Sequence, residues 1–311
     1  MSAQRYEEVV VPYPSASFIK EQPGIFRVMP MLHLRNNDEK NPLPVYTNTF
    51  LRPESNMIYG IMTPEGYRSL YLERYADIMA LLVAQPSGSL KAKLCEFNNL
   101  DDNILDFLNV KYIVASRVTS KKFTKGYRLV YEDKLHKIFL NENALERAFV
   151  VHNIKIIKQK EEILKTIASG LDFSKVAIIE EDSLDFDMRT TNASSDVLIE
   201  KYQPNEIFIS VNNNRDGFLV LLDCYYPGWK AYLDDKPTKI FRANYIFRAV
   251  RVPQGRHRIK FIYSPDSLKI GFMISSAVFL FSLVLCIFLR KKKFPYFLID
   301  TVKSKTYNGK G

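Results

Sequence analysis

The chain has 311 residues, with 44 Lys+Arg against 34 Asp+Glu for a formal charge of +10, 47% apolar residues and 13% aromatics. Length sets a prior of two domains at about 150 residues each, and the apolar content excludes a disordered chain. Three cysteines, Cys95, Cys224 and Cys286, exclude a disulfide scaffold, and 12 glycines exclude a collagen-like or Gly/Ser-rich chain.

The first 24 residues are rich in turn formers, and Ser15 or Ser17 is placed to cap a short helix ending at Lys20. Ile25–Met29 reads as a strand stopped by Pro30, and residues 34–56 read as polar loop. A helix capped by Ser69 carries Leu72, Tyr75, Ile78, Met79 and Leu82 on one face, and Pro86-Ser87-Gly88 ends it. Asp101 is placed to cap a second helix with Ile104, Leu105 and Leu108 inward. Strands are expected at 112–114, 127–131 and 137–140, with Glu132-Asp133-Lys134 turning the last two into a hairpin. Ala148–Ile157 is a β-branched run, Glu161–Ala168 a short amphipathic helix closed by Gly170, and Val176–Ile179 a strand.

From Val197 onward the pattern is β throughout. Ile207, Ile209 and Val211 alternate, and Phe218–Leu222 is a continuous apolar run, the mark of a strand buried on both faces. Trp229–Leu233 and Lys239–Phe241 flank a hairpin turn at Asp234–Pro237. Tyr245–Val252 and the alternating His257, Ile259, Phe261 and Tyr263 complete a set of short, closely spaced strands, which predicts an antiparallel sandwich.

Ile270–Leu289 then runs 20 residues without a charge. At about 1.5 Å per residue such a helix spans roughly 30 Å, the thickness of a bilayer core. Arg290, Lys291, Lys292 and Lys293 follow at once, a cluster that favours the cytoplasmic side. The last 22 residues hold seven basic residues and one acid, so +6 of the charge lies in this tail and +4 in the other 289 residues. The excess is that of a membrane anchor, not of a nucleic-acid surface, although Arg242, Arg248, Arg251, Arg256, Arg258 and Lys260 interleave with Tyr245, Phe247 and Phe261. This topology puts residues 1–268 outside the membrane. The start of the chain has no basic stretch followed by an apolar one, as a signal peptide has. Either the folded part is cytoplasmic on a C-terminal anchor, or the chain is the end of a longer membrane protein.

No catalytic motif emerges. His33, His136, His152 and His257 form no zinc spacing, and His152 and His257 read as ordinary strand residues. There is no phosphate-binding glycine loop and no nucleophile elbow. The adjacent acids Asp101-Asp102, Glu180-Glu181 and Asp234-Asp235 read as caps and turns. No metal, cofactor or nucleic-acid partner is expected.

The most specific stretch is Tyr225-Tyr226-Pro227-Gly228-Trp229-Lys230-Ala231-Tyr232, followed by Phe241-Arg242-Ala243-Asn244-Tyr245, Phe247-Arg248-Ala249-Val250 and Phe261-Ile262-Tyr263. Phe26-Arg27-Val28, Asn56–Gly60, Gly66-Tyr67 with Leu72–Tyr75, Leu108–Val114 and Arg147-Ala148-Phe149 precede it. This ordered series resembles the YfhO family of bacterial membrane proteins over roughly residues 15–290. The resemblance implies a polytopic protein related to lipid-linked-sugar glycosyltransferases, acting on envelope polymers such as lipoteichoic acid with a polyprenyl-phosphate sugar donor. It also implies that the catalytic carboxylate lies in a first extracytoplasmic loop between membrane helices that this chain does not contain. One departure is Asp234-Asp235, where the family has Asp-Gly; Asp tolerates the left-handed backbone such a turn demands.

The expected organisation is α+β: a mixed α/β extracytoplasmic region (1–146), a β-sandwich with a short inserted helix (147–267), a transmembrane helix (268–290) and a basic cytoplasmic tail (291–311). Pro227-Gly228 reads as a turn, Trp229 as a core plug, and Arg242 with Asn244 as pins of a strand crossing. The functional reading of the same residues makes Tyr226, Trp229, Arg242, Asn244 and Tyr245 a glycan-contact surface, since aromatics stack on sugar faces. The alternative to an envelope glycosyltransferase portion is a free-standing anchored module that binds carbohydrate or a protein partner. The expected partners are the lipid bilayer, the polytopic half of the same family and envelope glycopolymer.

Overall fold

The computed structural model describes residues 13–31, 55–64, 72–83, 102–117, 126–184 and 193–291. The expected caps Ser69 and Asp101, as well as Cys95, Lys292 and Lys293, lie outside these residues. The chain forms two compact units, Met1–Tyr263 and Ser264–Gly311.

The first unit opens with helix α1 (Pro14–Lys20), whose first turn carries Pro14 and whose cap position is Tyr13, with no side-chain cap. Ser15 does not cap it. Its hydroxyl is buried and 2.9 Å from His136 Nδ1, tying α1 to the sheet below. Strand β1 (Arg27–Met31) runs parallel to β2 (Val110–Ser116), and β2 continues into β4 (His136–Asn141) and β3 (Tyr127–Glu132), giving the order β1-β2-β4-β3. β1 extends through Pro30. It is an edge strand, where the missing N–H of proline can be tolerated. Helices α2 (Glu73–Val83) and α3 (Asp102–Phe107) lie between these strands in sequence.

The second sheet has the order β5-β10-β14-β13-β7-β6, from β5 (Ala148–Val151), β10 (Gly217–Cys224), β14 (Phe247–Val252), β13 (Phe241–Ala243), β7 (Val176–Ile179) and β6 (Asn153–Ile156). The expected antiparallel pattern holds for most of it. The pair β6–β7 is parallel instead, because helix α4 (Lys160–Ala168) connects the two as a crossover. The third sheet is antiparallel, in the order β12-β11-β15-β9-β8, from β12 (Lys236–Thr238), β11 (Trp229–Leu233), β15 (Gly255–Tyr263), β9 (Glu206–Asn213) and β8 (Ser195–Gln203).

β10 lies where the layers meet. Phe218, Val220 and Leu222 pack into a core shared with α2, α3 and α4, while Leu219 and Leu221 pack against Ile209, Ala231, Ile259 and Phe261 of the third sheet. This is the two-sided burial that the apolar run predicted. The first of these cores takes Met29, Ile78 and Ile113 from before residue 146 and Phe218 and Phe247 from after it. The expected pairing of Lys239–Phe241 with β11 is replaced by β12, and the chain then crosses to the second sheet as β13. Asp234 and Asp235 make the two-residue turn between β11 and β12 with φ of +47° and +65°, a left-handed pair as in a type I′ hairpin.

The second unit contains α5 (Asp266–Lys291), a helix long and apolar enough to cross a bilayer. Its apolar side chains are exposed on every side, Phe272, Phe279 and Phe281 among them. A core helix would bury one face.

Candidate functional site

The loop after β10 begins with Tyr225, whose N–H donates to Ile246 O at 2.6 Å. Tyr226 is exposed, Gly228 turns the chain with φ +102°, and the half-buried Trp229 starts β11. Arg242 on β13 stacks its guanidinium 4.5 Å over the Tyr225 ring and lies 3.8 Å from Glu180.

Asn244 and Tyr245 are turned the other way. Both take left-handed backbone, φ +49° and +72°, and both are buried. Asn244 Oδ1 accepts from the Ile178 N–H at 2.7 Å while the Asn244 N–H donates to Ile178 O at 2.8 Å, so this residue pins the β13–β14 turn to β7. Tyr245 donates its hydroxyl to Asp77 Oδ2 at 2.6 Å, and Arg74 lies 4.5 Å over its ring. Lys160 Nζ reaches the same carboxylate at 2.8 Å. Burial, then the Asp77 carboxylate, push the Tyr245 phenol up to about 12. Of the five residues read as a glycan surface, Tyr226, Trp229 and Arg242 thus reach solvent, while Asn244 and Tyr245 are interior joints.

Among the described residues, buried charge gathers elsewhere, at a cluster to which the sequence reading assigns no joint role. Arg27, Arg147 and Arg248 are 7%, 4% and 1% exposed, and all three surround Asp223 near the end of β10. Arg147 Nη2 donates to Asp223 Oδ1 at 2.5 Å and to Tyr202 Oη at 2.5 Å, and Nη1 donates to Asn109 Oδ1 at 3.2 Å. Tyr202 in turn donates to Asp223 Oδ1 at 2.8 Å, and Arg248 Nη2 donates to Oδ2 at 2.9 Å. Arg27 spends its two terminal nitrogens on backbone carbonyls, Leu108 O at 2.7 Å and Leu222 O at 2.9 Å. The Arg248 guanidinium lies 3.9 Å over the Trp229 ring and 5.4 Å from the centre of the Phe261 ring.

The β10–β14 register shifts between Leu221 and Cys224, so the strand is bulged where it delivers Asp223. A bulge re-aims a side chain in this way. Burial opposes the Asp223 charge, but Arg147, Arg248 and Arg27 outweigh it and hold the carboxyl below its usual range. Burial, joined by repulsion from Arg147, lowers Arg27; arginine nevertheless stays charged at any physiological pH. Burial raises the neighbouring Cys224 thiol and keeps it neutral. Three cations therefore face one anion. Among the described residues, Arg147 Nε and Arg248 Nε and Nη1 meet no hydrogen-bond acceptor.

The signal for this cluster was present in the sequence. Phe26-Arg27-Val28, Arg147-Ala148-Phe149 and Phe247-Arg248-Ala249 each set an arginine inside an apolar strand, where a charge requires a buried partner.

An open cleft of about 450 Å³ lies across β8, β9 and β15, lined by Asp196, Leu198, Asn212, Asp234, Arg256 and His257 among others. His257 places Nδ1 2.7 Å from Asp234 Oδ2 and Nε2 3.2 Å from Gln254 O. Both ring nitrogens face acceptors. Burial works against protonation, but these bonds prevail and raise the imidazole above its ordinary 6.5. His152, between β5 and β6, joins Ser195 Oγ and Asp216 O, each at 2.9 Å. No group of three or more metal-ligating side chains occurs among the described residues.

Residues 132–275 match the sequence model of the family described as "Bacterial membrane protein YfhO". The chain is also 24% identical over 187 residues to "Uncharacterized protein YfhO" of Bacillus subtilis (strain 168), a stretch covering 59% of this chain and 21% of that protein. The matched segment thus spans about a fifth of that relative's length. No solved structure matches.

Proposed function

We propose that this chain, whose residues 132–275 carry YfhO-family sequence, is the C-terminal extracytoplasmic portion of a membrane protein that glycosylates cell-envelope polymers of the lipoteichoic-acid type, using a polyprenyl-phosphate sugar. The observation that carries the reading is continuity. The family match covers residues 132–275, taking in the strands of the second and third sheets and ending inside α5, which supports reading the β region and the start of the apolar helix together. On this reading the catalytic carboxylate sits in an extracytoplasmic loop between membrane helices outside the chain, and the sandwich holds acceptor polymer or braces the membrane region. Tyr226, Trp229 and Arg242 are the residues of the glycan reading that solvent reaches. On this reading the Arg290–Lys293 block lies on the cytoplasmic side and the folded unit outside, an orientation supported by the preference of basic clusters for the cytoplasmic face.

Two measurements test this. Lys175 is exposed, so Lys175→Cys in a C95S/C224S/C286S background gives one accessible thiol. A membrane-impermeant maleimide should label it in cells whose outer layers alone are opened; labelling only after the inner membrane is permeabilised overturns the orientation. The DNA upstream supplies the second test. A reading frame encoding about ten or more apolar spans, whose deletion removes sugar substituents from extracted lipoteichoic acid, supports the assignment, and unchanged substitution refutes it.

A further inference from the structure

The arginine cluster has a charge imbalance that its own carboxylate does not settle. Arg27, Arg147 and Arg248 against Asp223 leave +2, inside a region where the three guanidiniums are nearly inaccessible. Burying one uncompensated ion costs several kcal/mol, even after the surroundings relax. Asp223 has no capacity to spare: its two oxygens already take Arg147, Tyr202 and Arg248. Three buried donor nitrogens on Arg147 and Arg248 meet no protein acceptor among the described residues, which adds a desolvation penalty for each.

We propose that Arg27, Arg147 and Arg248 form a binding site for one dianionic phosphate group, covered by Trp229. A phosphate dianion cancels the +2 charge, whereas one carboxylate leaves half of it. Its oxygens offer acceptors in several directions for the nitrogens of two side chains, and planar guanidinium groups suit phosphate recognition. Asp223 is the positioning residue, since it holds Arg147 and Arg248 together. Trp229 stacks on Arg248 at 3.9 Å while being itself half-buried, so it is the layer a ligand must displace. The indole–cation contact offsets part of the Arg248 charge. Gly228, with φ +102°, precedes Trp229 in the loop that carries it. The site needs no glycosyltransferase chemistry and does not depend on the function proposed above.

Trp229 is the only tryptophan in the chain, so its emission reports directly on the site. The full chain in detergent micelles is titrated with inorganic phosphate at constant ionic strength, chloride being the balancing anion. The parent should show a saturable change in Trp229 emission and a rise in Tm that follows the same curve. Glycerol 3-phosphate should act like inorganic phosphate, and dimethyl phosphate, a monoanionic diester, should bind about tenfold more weakly or worse. Arg248→Met and Arg147→Met each lower the cluster's surplus from +2 to +1 and keep an apolar stem, while Asp223 keeps the other arginine as partner, so both should fold. Both should lose the phosphate response at least tenfold, with Tm reading Arg248→Met independently of the altered stacking. Arg256→Met, at an exposed position, should respond as the parent does. The proposal is overturned if the parent shows no saturable response beyond that to chloride, if both cluster variants respond like the parent, or if the diester binds as well as phosphate.

Discussion

Replacing Asp223 with Asn tests the charge argument at its centre. The substitution keeps the shape of the side chain and removes the one carboxylate that Arg147 and Arg248 share. It also takes an acceptor oxygen from a group that receives Arg147 at 2.5 Å, Tyr202 at 2.8 Å and Arg248 at 2.9 Å. Breaking a buried ion pair by deleting one partner costs about 3–5 kcal/mol, because the other charge stays behind. Here three guanidiniums stay behind, so Asp223→Asn should destabilise by at least about 3 kcal/mol. The assay is urea unfolding of the full chain in micelles, followed by far-UV dichroism and by Trp229 emission. A pH series adds a signature. The native Asp223 carboxyl is held below its ordinary 3.8, so its contribution to stability is present above that value and is lost as pH falls through the native pKa. Asp223→Asn should remove that part of the acid sensitivity. A variant within about 1 kcal/mol of the parent would show that the cluster is solvated or neutralised otherwise, and would refute the reasoning.

Other perturbations have separable outcomes. Asn244→Ala removes the acceptor of the buried Ile178 N–H and puts Ala at φ +49°, so it should cost about 2–3 kcal/mol by urea unfolding, with Asn244→Asp costing less. Gly228→Ala at φ +102° should cost about 1–3 kcal/mol and alter Trp229 emission by displacing the start of β11. His257 has a raised native pKa, so its bond to Asp234 stabilises fully below the ordinary 6.5 and is lost as pH rises through the native value; His257→Gln should flatten that part of the pH–Tm profile. A fragment of residues 147–263 should lack a cooperative transition, since it loses both Arg27 and the part of its core that Ile78, Leu105 and Ile113 supply.

Local pattern was legible wherever one period dominated. The run Phe218–Leu222 declared a two-sided strand, α4 appeared at 160–168 against an expected 161–168, and the apolar stretch before Arg290 declared α5. Pairing was less legible, because it depends on distant partners. Nothing local in Lys239–Phe241 says that Phe241 leaves the β11 hairpin for a strand opposite Ala249. The inward or outward sense of Asn244 and Tyr245 was hidden for a related reason. Two consecutive residues at positive φ reverse the direction that strand alternation would assign, and their partners, Ile178 and Asp77, are 66 and 168 positions away.

The arginines combine both difficulties. Each is recognisable alone as a charge in an apolar strand, but what neutralises it is set by tertiary structure. Arg27 bonds across 195 positions to Leu222, Arg147 across 76 to Asp223, and Arg248 across 25 to the same carboxylate. These three links join β1 of the first sheet to β10 and β14 of the second, and Tyr202 and Trp229 bring in the third. A buried ion pair is weak support for a fold when an apolar group would serve as well. Three cations around one anion are weaker still, since the fold carries a surplus of two charges where leucines would pack. That surplus makes structural convenience an insufficient reason for the cluster. It fits a site that receives an anion, with Asp223 and the Trp229 stack holding the guanidiniums in place.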